Sequence, residues 1–475
     1  MHIPKIIQGG MGAAVSNWRL AQAVSKLGQL GVVSGTALDQ ILVRRLQDGD
    51  PTGDIRRALD AFPFRSMANR ILNNYFIPGG KKPDAPYASV AMHKHADGQR
   101  SAQELCIAGN FTEVFLARDG HTNPVGINYL EKIQLPHLPS LYGAMLAGVA
   151  VVIMGAGIPM TIPAVIEALA NHKPTTYPLN VIGASSSDSW FTSFDPKSFH
   201  EDGPPSELQR PAFLPIVASN LLATMMVRRA PGPIDGFVIE GPTAGGHNAP
   251  PRGARKFSDD GQPIYGPRDI VDLQAMKELG LPFWLAGGYG SHDRFNQALA
   301  EGAAGIQVGT AFALCVESAL VPEIRRALIL KALAGKAVVR TDPLASPTGF
   351  PFKVAEMEGT LTEKEVYQKR PRYCDLGFLR EAYVRTDGTL GYRCPAEPVA
   401  AYVAKGGNIE DTVGRVCLCN ALIANVGMPQ LLPNGNFEPC MITLGDDLSG
   451  VGRFCKNGNP DFTASDVINS LLGIA

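Results

Sequence analysis

The stretch Pro282-Phe283-Trp284-Leu285-Ala286-Gly287-Gly288-Tyr289-Gly290, with Gly305-Ile306-Gln307-Val308-Gly309-Thr310 behind it, decides the fold. Each half is a short apolar run ending in glycine. A short run that is apolar on both faces predicts a buried parallel strand covered by helices. Glycine loops after two successive strands expose backbone N–H groups, and an adjoining helix N-terminus adds to them. Together they suit a phosphate. Ser291 or Asp293 is placed to cap the helix after the first loop. The alternative is plain turn glycine, which the repetition on neighbouring strands disfavours.

The same unit recurs outward along the chain. Strands are expected at Lys5–Gln8, Gly31–Ser34, Pro124–Asn128, Val149–Met154, Phe213–Ser219 and Gly236–Glu240, with helical segments between them, the first from Asn17 to about Gly28. With the opening pair this makes eight, which predicts an α/β protein with a closed (β/α)8 TIM barrel rather than an open sheet. Thr176–Ile182 is a ninth strand or an insertion. Two insertions, about 38–123 and 183–211, exceed ordinary loop lengths. The second is rich in Ser, Pro and Asp (Ser185-Ser186-Ser187, Pro204-Pro205). Both are placed to line or cover a site at the carboxyl ends of the strands. The barrel pattern fades after about Phe352, so a barrel unit of 1–355 and an extra C-terminal module of 356–475 are expected.

Bulk properties narrow the partners. Of 475 residues, 45% are apolar and 18% charged, with a net charge of −1 and no basic block, so neither nucleic acid nor an anionic membrane surface is an expected partner. The opening Met1-His2-Ile3-Pro4-Lys5 has no charged leader before an apolar core, which predicts a cytoplasmic protein. Leu141–Ile166 carries no formal charge, but Gly155, Gly157, Pro159 and Pro163 break it, and a buried strand between helices explains it better than a membrane span. Eight cysteines in such a chain argue for reduced thiols.

Chemistry concentrates in three loops. Glu240-Gly241-Pro242-Thr243-Ala244-Gly245-Gly246-His247 follows the strand Phe237-Val238-Ile239. Its glycines allow close approach to a flat ligand, and His247 is placed at the barrel mouth, where imidazole suits proton transfer. A loop histidine bonded to backbone is the plain alternative. Gln8-Gly9-Gly10-Met11-Gly12 follows the first strand; Met11 either lies against a ring system or fills the core. Cys374, Cys394, Cys417 and Cys419 could bind zinc or an iron–sulfur cluster, or pack as buried thiols; the paired knuckles that would decide it are missing. His93 and His95 are either ligands or part of a solvated loop.

These motifs, in this order, resemble those of the nitronate monooxygenases, the former 2-nitropropane dioxygenases. Ile6-Ile7-Gln8-Gly9-Gly10-Met11, Leu20-Ala21-Gln22-Ala23-Val24-Ser25, Gly126-Ile127-Asn128, Ala244-Gly245-Gly246-His247, Ala286-Gly287-Gly288 and Gln307-Val308-Gly309-Thr310-Ala311-Phe312 carry the resemblance over about residues 4–355, outside the insertions. The flavin-containing enoyl-acyl-carrier-protein reductases look similar. The resemblance implies an FMN-dependent oxidoreductase (flavoprotein). The phosphate would lie on Gly287, Gly288, Gly309 and Thr310, with Gln307 alongside, and the isoalloxazine would touch Gly10, Met11 and Asn128. Gly12, Glu240, Gly245 and Gly246 complete the implied cofactor site, and His247 would be the acid/base residue. Two positions depart from the pattern. Glu240 stands where the monooxygenases usually carry Gln and the reductases often carry Glu, and Thr243 stands where both usually carry Glu.

Two activities follow from the resemblance. One is oxidation of a small carbon acid such as an alkyl nitronate with O2. The other is NAD(P)H-dependent reduction of an enoyl thioester, with an acyl carrier protein as the partner. A flavin-holding subunit without turnover of its own is a third reading. Substrate, nicotinamide preference and oligomeric state are not legible.

Overall fold

Short apolar runs become strands here because both their faces are covered. The computed structural model describes residues 3–95, 99–185 and 188–474; Met1, His2, Ser186 and Ser187 lie outside the described residues. Eight strands form one sheet: β1 (Ile6–Gln8), β2 (Gly31–Ser34), β3 (Val125–Leu130), β4 (Val151–Gly155), β5 (Ala212–Val217), β6 (Phe237–Glu240), β7 (Phe283–Ala286) and β8 (Gly305–Val308). Each pairs in parallel with its neighbour in sequence, and β8 returns to β1. The ring closes between β1 and β2 through a parallel bridge at Ile7 and Leu30. There Gln8 N–H donates to Leu30 O at 2.9 Å and Leu30 N–H to Ile6 O at 3.0 Å. This is the expected barrel, with strand ends shifted by one or two residues.

Alternation along the strands builds two cores. Ile7, Val32, Val151, Ile153, Leu214, Val238 and Trp284 pack together as one buried cluster, filling the barrel interior. The residues between them, among them Ile6, Val33, Val152, Phe213, Ile239, Leu285 and Ile306, pack in the larger cluster with the helices. Trp284 closes the bottom by donating its indole N–H to Pro4 O at 2.9 Å. Local caps set the helices. Asn17 Oδ1 accepts from Leu20 N–H at the head of helix Trp18–Lys26, and Ser291 caps His292–Ala300.

Thr176–Ile182 is not a barrel strand. Thr175–Pro178 pairs antiparallel with Phe191–Phe194, while Val181–Ile182 joins Glu381–Val384, whose partner is Leu390–Arg393. Alternating burial at Thr175–Pro178 fits a strand with one wet face. The first insertion is largely helical (Leu38–Gln47, Asp54–Asp60, Arg65–Tyr75, Arg100–Arg118). It docks on the second through Arg70 and Glu201 at 2.8 Å, and Ser66 N–H to Asp202 Oδ2 at 2.9 Å. Beyond residue 355 the chain returns to the barrel. Helix Ala464–Leu472 packs against Trp18–Lys26 and His292–Ala300. Leu141–Ile166 spans parts of two helices and β4, and no helix among the described residues is long and apolar enough to cross a membrane.

Candidate active site

All eight strands bring residues to one cavity at their carboxyl ends, about 1280 Å³ with its open mouth included. Gly10, Met11 and Gly12 follow β1, Asn128 sits on β3 and Glu240 ends β6. Gly245, Gly246 and His247 follow in the β6 loop; Gly287 and Gly288 follow β7; Gln307 lies on β8, with Gly309 and Thr310 after it. The structure thus gathers the candidate cofactor-binding residues and His247 at a single surface. Neither insertion contributes to that surface among the described residues. The expectation that they cover the site gives way because their helices and hairpin are held to each other on the barrel's flank.

Two glycines are required by contact. A Cβ on Gly10 would stand 2.4 Å from Asn128 Cβ. Gly287 has φ +92°, and its Cβ would meet Thr243 Oγ1 at 2.8 Å. Helix His292–Ala300 begins just beyond the Gly287–Gly290 loop. The carboxamide oxygen of Gln307 is buried without a partner in the protein.

The wall missed from sequence is Thr443-Leu444-Gly445 with Asp447. Gly246 N–H donates to Thr443 Oγ1 (2.8 Å), Gly445 N–H to Thr310 Oγ1 (3.0 Å) and Asp446 N–H to Thr243 O (3.0 Å). This segment stitches the β6 loop to the β8 loop. Nothing in its composition marked it, since the contacts span more than a hundred residues. Asp447 faces Arg453 at 3.6 Å.

His247 is half-buried at the cavity wall. Its Nε2 lies 2.7 Å from Ser346 Oγ, which in turn lies 2.8 Å from Thr348 Oγ1. The ring meets Phe352 edge-on at 4.9 Å, and Lys353 N–H donates to Gly246 O at 2.9 Å. Enclosure by protein, with a smaller contribution from the Lys132 cation, pushes the imidazole pKa down to about 4. Burial likewise lowers Lys132, whose ammonium sits 3.7 Å over the Phe350 ring. Burial pushes the Glu240 carboxyl up to about 8. Ser346 and Lys132 were not legible: a serine in a Pro-rich loop and a lysine after a strand carry no pattern.

His93 is not on a solvated loop. It is 7% exposed, with Nε2 3.0 Å from Asp39 Oδ2 and 3.5 Å from Cys106 Sγ.

A closed parallel barrel with its cavity at the strands' carboxyl ends defines the class, a (β/α)8-barrel protein. Residues 200–343 match the model of the nitronate monooxygenase family. No curated protein matches the chain. Among solved structures it is similar to FabK from Thermotoga maritima, at 18% identity over 99% of this chain and 92% of that one, with a TM-score of 0.47. Nitroalkane oxidase from Streptomyces ansochromogenes matches at 15% identity over 99% and 95%, TM-score 0.46. The enoyl reductase domain of MlnA from the macrolactin biosynthesis cluster from Bacillus amyloliquefaciens matches at 10% over 99% and 93%, TM-score 0.48.

Proposed function

We propose that this chain binds FMN in the barrel cavity and oxidises a small carbon acid, such as an alkyl nitronate, with O2, using His247 as the acid/base residue. The glycine loops after β1, β7 and β8 leave room for a planar ring and a phosphate, and the Gln307 oxygen offers an unpaired acceptor to a hydroxyl-bearing ligand. Gly287, Gly288, Gly309 and Thr310 would hold the phosphate near the start of helix His292–Ala300. Gly10, Met11, Gly12 and Asn128 would hold the ring, with Glu240, Gly245 and Gly246 beside them. Bound there, FMN supplies two-electron redox chemistry that no side chain of the cavity has.

One observation carries the choice of reaction. The enclosed imidazole of His247 is neutral near pH 7, the form that accepts a proton. Ser346 fixes the ring, and its neutral form would accept the proton that a nitroalkane, the carbon acid whose conjugate base is the nitronate, gives up at the reacting carbon. Donation to an enoyl carbon needs the opposite charge state.

A second reading, NAD(P)H-dependent reduction of an enoyl thioester delivered on an acyl carrier protein, is favoured by Glu240 where the reductases often carry Glu. Its raised pKa keeps a proton available in the cavity. Anaerobic mixing separates the two. Bleaching of the bound flavin by an alkyl nitronate but not by NADH or NADPH supports the first reading; rapid bleaching by a nicotinamide supports the second. A purified chain that takes up no flavin ends both. His247→Ala is expected to lower turnover about 10²–10⁴-fold while the protein stays yellow. Normal turnover by the variant holoenzyme would remove His247 from the mechanism.

A further inference from the structure

Three buried side chains of the first insertion point at one place. Asp39 lies in the first turn of helix Leu38–Gln47, Cys106 in helix Arg100–Arg118, and His93 on the loop before that second helix. One carboxylate oxygen, one ring nitrogen and the sulfur lie within 4.8 Å of each other. His93 Nε2 stands 3.0 Å from Asp39 Oδ2 and 3.5 Å from Cys106 Sγ.

The local structure is built to bring them together. Gly109, one turn beyond Cys106, lets the two helices touch, since a Cβ there would stand 2.4 Å from Leu38 O. Ala37 turns the chain into helix Leu38–Gln47 in the left-handed region, at φ +58°, which few residues with a Cβ adopt. The His93 loop is pinned by the C-terminal part of the chain. His93 O accepts from Arg380 Nη2 at 2.7 Å, and His95 N–H donates to Tyr392 Oη at 2.6 Å. Protons alone do not satisfy the trio. A ring nitrogen carries one proton at most, and the carboxylate and the sulfur both face the same nitrogen. A cation between them engages all three at once.

We propose that Asp39, His93 and Cys106 bind one zinc ion. A Zn–S bond of about 2.3 Å, with Zn–N and Zn–O bonds of about 2.0 Å at tetrahedral angles, sets ligand edges of roughly 3.3–3.6 Å. The separations of 3.0 and 3.5 Å need only a small adjustment to match. A thiolate and an imidazole suit zinc, whereas magnesium and calcium take oxygen ligands. The carboxylate and the thiolate balance the dication, as a buried site requires. The Cys106 thiol proton passes to solvent as the Zn–S bond forms. Three protein ligands leave the fourth position to a water. A small cavity lined by Asp39, Cys106, Tyr129 and Ser140 lies alongside to hold it. Tyr129 also lines the barrel cavity, but none of the three ligands does, so the ion sits behind that cavity's wall.

The test strips the full chain with a chelator and adds zinc back. About one zinc per chain is expected, and X-ray absorption at the zinc edge should show one sulfur at about 2.3 Å among nitrogen and oxygen neighbours at about 2.0 Å. The rival site is Cys394, Cys417 and Cys419, which pack together around Ala396, with Cys374; all four are free thiols. A shell of two or more sulfurs would put the ion there and overturn the proposal, as would a chain that binds no zinc. Cys106→Ser and His93→Ala should each weaken zinc binding at least about 10-fold, the loss that follows when even an outer partner of a ligand is removed. Cys417→Ser should leave it unchanged. Parental affinity in both of the first two variants, or a loss in the third, counts against the trio. Should a variant fail to fold, the sulfur count in the unsubstituted chain decides. Flavin content is read separately, so failure here leaves the barrel site untouched.

Discussion

Ser346 Oγ lies 2.7 Å from His247 Nε2 and is itself fully buried, so the imidazole is held from behind by a residue 99 positions further along the chain. Ser346 touches no substrate in the proposed reaction; it positions the histidine. Ser346→Ala should lower kcat by about 3- to 30-fold with little change in flavin content, because one orienting bond is lost. Ser346→Thr should recover most of it. Equal kcat in Ser346→Ala and the parent would assign the serine to packing alone.

Protonation of His247 sets the acid limb of the rate. With its pKa near 4, the imidazole is neutral across the range in which an unperturbed histidine titrates. A kcat/KM profile flat from about pH 5 to 8, falling only below, is expected. An inflection near 6.5, that of free imidazole, would contradict it. Stability carries the matching sign. The unfolded chain takes up this proton at higher pH than the folded one, so stability falls as pH drops from about 6.5 towards 4.

Glu240 runs the other way. Its carboxyl stays protonated to about pH 8 in the fold but ionises near 4.5 when unfolded. It therefore costs stability as pH rises through that window. Glu240→Gln should stabilise the flavin-free protein at pH 8 by about 1 kcal/mol or more, read as a higher melting temperature, and the gain should vanish below pH 5. A gain independent of pH would point to packing instead.

Gly10→Ala tests the ring site. Its new Cβ would press on Asn128 Cβ at 2.4 Å, so β1 or β3 must shift at the cavity floor. FMN affinity should fall at least about 10-fold in a fluorescence-quenching titration, while far-ultraviolet circular dichroism stays unchanged. Undiminished affinity would place the ring elsewhere.

The barrel seam depends on one carboxamide. Gln8 Oε1 accepts from Val32 N–H at 3.0 Å, and its Nε2 donates to Val32 O at 3.1 Å, so a side chain continues the ladder where β1 runs out. Gln8→Ala leaves both buried groups of Val32 unpaired and should cost about 2–4 kcal/mol, read as a lower denaturation midpoint. A midpoint within error of the parent would mean that the seam holds without it.

The strands were legible because their requirement is local. Val151 to Met154 and Phe283 to Ala286 are apolar on both faces, and only a covered parallel strand satisfies that. The glycines of the cavity were legible because a turn and a close approach exclude Cβ. What stayed hidden is whatever a distant partner decides. Thr175–Pro178 reads like a barrel strand until Phe191–Phe194 pairs with it, and Thr443 becomes a wall residue only through Gly246. His93 looked solvated because Asp39 and Cys106, its neighbours, are supplied by helices on either side of it in sequence.

Thr443 to Asp446 clip the loops after β6 and β8 together. During synthesis, all eight strands leave the ribosome more than a hundred residues before that clip does. A nascent barrel therefore stands with its mouth unlatched, and any ligand that enters early can leave again. Retention begins only when the latch arrives, which makes capture one of the last events in maturation rather than a seed for the fold.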